Sequence, residues 1–235
     1  MLGPLSCKVL NKIPAPWLCD YEETPSEELL HGVRYKIKPT GIFMGVVIAL
    51  CMASTVFACG VTFVLPCIVL IYADLLLIAA SDAKYTIIPD QFTIAAALIS
   101  LIFAVIDFFT DKNFITSWYS PLLGAAAGGL ILLILDFLSN LVFKKPGFGF
   151  GDVKLMAALG LMFGLKYTLI LIVISSFIAV VHFMVMIFAG KAKKGIYMPM
   201  GPYICLGVVL TFMTQPLFDP IFDMYKALLE MDVLP

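Results

Sequence analysis

The chain has 235 residues and a formal net charge of -1, with 62% hydrophobic and only 13% charged residues. Soluble domains run near 45–50% apolar and about 25% charged, and a mean hydropathy of +1.04 leaves more apolar surface than a core of this size can hide. Disorder, an ordinary cytosolic enzyme and an electrostatic nucleic-acid binder are excluded; the solvent of this chain is lipid.

In chain order, residues 1–40 are polar and mixed in charge, with Pro14, Pro16 and Pro25 and the acidic residues Glu22, Glu23, Glu27 and Glu28. The apolar start is too short for a signal peptide, so this segment is expected to be cytoplasmic or interfacial. Apolar runs follow at Gly41–Cys59, Val61–Ala80, Phe92–Phe109, Leu122–Phe143, Val153–Leu165, Tyr167–Ala189 and Tyr203–Phe218. A bilayer core needs roughly 20 apolar residues per helix, which makes an all-α polytopic membrane bundle of about seven spans the expected fold. The bundle is expected over 41–219 and a short tail over 220–235.

Lys and Arg set the orientation. With the N-terminus in the cytoplasm, that side collects Lys8, Lys12, Arg34, Lys36, Lys38, Lys84, Lys144, Lys145, Lys154, Lys191, Lys193 and Lys194. The far side holds Lys112, Lys166 and Lys226, three of the fifteen. The alternation holds only if none of the first six spans is dropped.

The six cysteines form no CxxC motif. Cys51, Cys59, Cys67 and Cys205 lie in apolar runs, where a small hydrophobe is the simple reading. Cys7 and Cys19 have no second pair nearby, so no structural zinc and no metal site is expected.

Carboxylates inside apolar runs are costly and usually functional. Asp82 ends the second run, Asp90 opens the third and Asp152 begins the fifth, all on the cytoplasmic side. Asp74 is about 12 Å before Asp82 along a helix, and Asp136 is deep in the fourth run; both are expected to bond to polar partners in the bundle, such as Tyr72 or Ser139. Asp107, with Asp111, reads as interfacial, His182 as a satisfied core histidine, and the run Lys191, Lys193 and Lys194 as a topology signal.

Three stretches carry a resemblance: Ser81-Asp82-Ala83-Lys84-Tyr85-Thr86-Ile87-Ile88-Pro89-Asp90, Gly147-Phe148-Gly149-Phe150-Gly151-Asp152-Val153-Lys154, and Met198-Pro199-Met200-Gly201-Pro202. Gly149-Phe150-Gly151-Asp152 matches the GxGD motif of membrane aspartyl proteases. Together with the Asp82–Pro89 spacing and the Pro-x-Gly-Pro stretch, it resembles the type IV prepilin peptidase family over roughly residues 41–215. The resemblance implies an aspartic endopeptidase with Asp82 and Asp152 as its catalytic pair. It places Gly149, Gly151, Lys154, Pro89, Asp90, Gly201 and Pro202 at loop and substrate-binding positions, Asp90 being read first as the cap of the third span. A lone aspartate at a helix start is ordinarily an N-cap; the motif context lifts Asp152 above that reading.

The resemblance further implies type IV prepilin or type II secretion pseudopilin substrates, with a short basic leader cut off at the cytoplasmic boundary. It implies a multi-pass protein of the bacterial cytoplasmic membrane, contacting lipid and no nucleic acid. Two carboxylates and a water need no cofactor. Many members also carry two CxxC pairs that bind zinc and methylate the new N-terminus with S-adenosylmethionine. Residues 1–40 hold only Cys7 and Cys19, and Asn11-Lys12-Ile13-Pro14 resembles what precedes that insert, so the zinc insert is expected to be absent and methylation is left in doubt. A preflagellin-type GxGD protease and an ion- or proton-coupled transporter built on Asp74 and Asp136 are the alternatives. The signal-peptide peptidase branch fits less well, because Ser81 rather than Tyr precedes Asp82.

Overall fold

The computed structural model describes residues 8–18, 37–110, 114–115, 117–144, 147, 149–190 and 199–231. Cys7, Cys19, Asp111, Lys145, Phe148, the lysines of 191–194 and Met198 lie outside the described residues. Among those described, the protein is helical throughout, with no strand. The elements are a 3-10 turn (Ala15–Leu18), then α1 (Ile37–Cys59), α2 (Leu65–Tyr85), α3 (Asp90–Phe109), α4 (Ser120–Phe143), α5 (Phe150–Phe188) and α6 (Gly201–Met231). All six α-helices are long and apolar enough to cross a membrane.

The breaks between them follow local chemistry. Gly60 adopts φ 76° after α1, a conformation open to glycine without a Cβ penalty. Proline occupies the first turn of α2 and of α4, where its missing N–H costs nothing. Pro216 and Pro220 interrupt α6 from within. Pro216 leaves the carbonyl of Phe212 without its helical donor, and the Cys59 thiol donates to that oxygen at 3.4 Å. Cys59 is therefore a hydrogen-bonding residue rather than only a small hydrophobe.

Seven spans were expected and six helices meet the length criterion; α5 accounts for the difference. It covers 39 residues, with one non-helical residue inside, Gly164 at φ 62°, ψ -177°. That region of backbone space is essentially reserved for glycine. Phe163 and Tyr167, on either side, both pack on Phe114, with ring centroids 5.8 and 5.0 Å away. Beyond the turn, His182 Nδ1 lies 2.6 Å from the Tyr203 hydroxyl, two residues past Gly201, which bonds Asp82. Asp152, near the start of α5, also lies within electrostatic reach of Asp82. Both ends of α5 thus reach the same end of the bundle, and the chain reverses at Gly164. The first limb, residues 150–163, is about 21 Å long at 1.5 Å per residue.

Glycines let the first limb approach α4 closely. A Cβ on Gly124 would collide with the backbone of Gly160 and Gly164, and one on Gly128 would sit 2.7 Å from the Met156 carbonyl oxygen. Gly124 and Gly128, and likewise Gly160 and Gly164, have the small-xxx-small spacing that brings membrane helices together.

The end remote from Asp82 is closed by Phe103, Phe114, Phe163, Tyr167 and Phe212, all buried. Asp107 is also there. It is fully buried in the protein, and its Oδ2 accepts the backbone N–H groups of Phe114 and Ile115 at 3.0 and 2.8 Å. Lys166 pairs with Asp219 at 2.6 Å on that side. At the opposite end, Leu10, Ile13 and Leu18 of the N-terminal segment are buried against Met44 and Leu77.

Candidate active site

Asp82 sits one turn before the end of α2. The next residues cannot continue the helix: Thr86 is left-handed, and its N–H bonds the carbonyl of Asp82 at 2.8 Å. The Ser81 hydroxyl donates to the Ile87 carbonyl at 2.9 Å, tying down the turn. Pro89, in extended backbone, then starts α3. This turn fixes Asp82 relative to Asp90.

Asp152 lies in the first turn of α5. Its Oδ2 accepts the N–H of Gly149 at 3.1 Å, one of the helix-start donors that lack an intrahelical partner. Asp82 is anchored in the same way by a different helix, through the Gly201 N–H at the start of α6, 2.8 Å from Oδ2. Each carboxylate therefore has one oxygen held by a backbone donor. Both are nearly buried, at 4% exposure each. Oδ1 of Asp152 is buried without a hydrogen-bond partner among the described residues.

A cleft of about 550 Å³ opens over the two carboxylates. Asp82, Asp152, Pro89, Asp90, Gly149, Gly151 and Lys154 all line it. Gly201 is joined to the cleft through Asp82, and Pro202 follows it in the first turn of α6. Lys154 pairs with Asp90 at 2.7 Å, bracing the start of α3 against the first turn of α5. Among the described residues, no group of three or more His, Cys, Asp or Glu side chains could hold a metal ion.

Other carboxylates have partners that were not expected. Asp136 lies within α4 and is partly buried. Its Oδ1 accepts the N–H of Gly147 at 2.8 Å and so holds the glycine loop that leads to Asp152. Asp74 is buried, but Tyr72 is not its partner, because the Tyr72 hydroxyl bonds Thr55 at 2.6 Å. His182 is partnered by Tyr203 yet exposed, so it is no core residue. Wall residues that escaped sequence reasoning include Gln91 and, from the N-terminal segment, Pro16 and Trp17. The available signal was a tryptophan among prolines in an otherwise polar stretch.

The family profile described as the type IV leader peptidase family matches residues 68–184. That stretch contains both carboxylates and both turns that hold them. Residues 68–184 of this chain belong to the type IV leader peptidase family. Similar curated proteins include the prepilin leader peptidase/N-methyltransferase of Xanthomonas campestris pv. campestris, 32% identical over 59% of this chain and 46% of that protein. The protein of the same name from Bacillus subtilis is 29% identical over 59% of this chain and 52% of its own length. The one from Neisseria gonorrhoeae is 36% identical over 52% of this chain and 39% of its own. The chain spans about half the length of the curated relatives it matches. No solved structure matches it. The leader peptidase match ends at residue 184, before Gly201, so the contact that holds Asp82 comes from outside the matched stretch.

Proposed function

We propose that this protein is a membrane-embedded aspartic endopeptidase that removes the short basic leader of type IV prepilins or type II secretion pseudopilins. Family membership supports the substrate class. The observation that carries the chemistry is the pairing of Asp82 and Asp152 over one cleft, each with one oxygen fixed by a backbone N–H.

Two carboxyl groups that feel each other's charge in a buried site do not both ionise cheaply, so one proton is held between them. The ionised member takes a proton from a water, whose oxygen attacks the scissile carbonyl carbon. The protonated member gives its proton to the carbonyl oxygen. Collapse of the tetrahedral intermediate breaks the C–N bond, and a proton passes to the leaving amine. Because the two groups act as one unit, their titration belongs to the pair. Gly149 engages Asp152 Oδ2, so the proton transfer is assigned to Oδ1. The route needs no metal or organic cofactor; S-adenosylmethionine would serve only a separate methylation of the new N-terminus.

The lysine distribution supports a cytoplasmic site in the bacterial inner membrane. The leader would then stay in the cytoplasm while the apolar part of the substrate remains in lipid. The test is co-expression of the full chain with a prepilin, followed by mass spectrometry of the prepilin N-terminus. Loss of the leader is the expected result, and the same spectrum reads methylation. An uncut prepilin beside a cut preflagellin would move the substrate to the preflagellin class; both uncut would reject the peptidase reading.

A further inference from the structure

Two helices flanking the site pack on α5 far more than on each other. α3 and α4 each pack on the first limb of α5, and a second cavity of about 510 Å³ opens between them as a groove. Its floor includes Ala157 and Leu161 of α5, and its walls include Ala97 of α3 and Ala125 of α4. Asp90 and Lys154 stand at its mouth, and the same two residues line the cleft over the carboxylates. The Asp90–Lys154 ion pair thus borders both the cleft and the groove. From Lys154 to Leu161 the groove follows about 10 Å of helix, roughly two turns.

A membrane bundle gains stability by filling such gaps with atoms in contact. Here four alanines, Ala97, Ala125, Ala157 and Ala158, keep the gap open, and small side chains are what allow another helix to come close in lipid. An occupant that passes the Asp90–Lys154 pair at the groove mouth reaches the cleft over Asp82 and Asp152. Within the hydrocarbon region it must satisfy its own backbone, so it must be helical. It must also be apolar on the face that meets the alanines.

We propose that the groove between α3 and α4 seats the first two turns of the substrate's apolar helix, directly after the scissile bond. This rests on the peptidase reading and adds to it where the membrane part of the substrate lies. The cleft then receives an extended segment and the groove a helical one, so the helix start is set at the cut. Substrates with a charged residue on the groove-facing side of those two turns would be poor.

The test uses the full chain and a prepilin together in liposomes. A photo-crosslinking residue replaces Ala97 or Ala125, and, as a control, Phe177, which is 68% exposed on the second limb of α5. The expected result is attachment from positions 97 and 125 to the first two turns of the prepilin helix, and none from 177. In parallel, Ala97→Leu and Ala125→Leu should each raise KM for the prepilin at least tenfold, while Phe177→Leu on the second limb of α5 stays within twofold of wild type. Attachment to lipid only, to another part of the same chain, or equally from position 177 would overturn the groove assignment, as would unchanged KM in both alanine-to-leucine variants. If the unsubstituted chain fails to cut the prepilin, the peptidase reading has failed instead, and the two failures are told apart by that lane.

Discussion

The backbone N–H of Gly201 donates to Asp82 Oδ2 at 2.8 Å, across 119 residues of sequence. The contact satisfies one of the free donors at the start of α6 and places a carboxylate at the positive end of that helix. It also positions Asp82 for its proposed role. A Cβ at position 201 would lie 2.7 Å from Oδ2 and 3.1 Å from the Asp82 Cβ. Gly201→Ala should therefore displace the carboxylate and lower prepilin cleavage by about 10²-fold, the usual result of a misplacement near 1 Å. Cleavage by the purified variant at the wild-type rate would show that this contact does not position the group.

Asp136 acts at one remove, by holding Gly147. Asp136→Ala should cost roughly tenfold in kcat, the size of one hydrogen bond of ~1.4 kcal/mol. Asp136→Asn keeps an accepting oxygen and should recover most of that loss. Equal rates for the alanine and asparagine variants would mean that the bond to Gly147 has no part in the reaction.

Asp90 lies in the cleft, yet its bond is to Lys154, and both side chains are 35% exposed. Ion pairs with that much exposure are worth about 1 kcal/mol or less. Asp90→Ala should accordingly lose no more than about fivefold in cleavage rate. A drop to the background level, with the folded yield unchanged, would place Asp90 in the reaction itself.

Much of this was legible in the sequence because rare charges in apolar runs say where they sit. Asp82 and Asp152 were assigned to one membrane face, and they meet over one cleft. The break between the fifth and sixth apolar runs was visible as well, but not its form. Gly164, with φ and ψ outside the helical region, makes the kink at which two helical limbs join. The loop after α4 was not legible: it folds back so that the Gly147 N–H reaches Asp136. The partners of Asp107 were hidden in the same way, since the N–H groups it accepts come from a loop seven and eight residues away. The paired glycines of α4 and α5 were a signal present in the sequence and unread, Gly124 and Gly128 against Gly160 and Gly164.

The most direct test of the central claim is prepilin cleavage by purified Asp82→Asn and Asp152→Asn proteins. Asparagine keeps an oxygen that can accept the N–H of Gly201 or Gly149, so both variants should fold and insert like the wild type. Neither can hold or pass the shared proton, so the account predicts no leader removal by either one. Wild-type cleavage by either variant would contradict it.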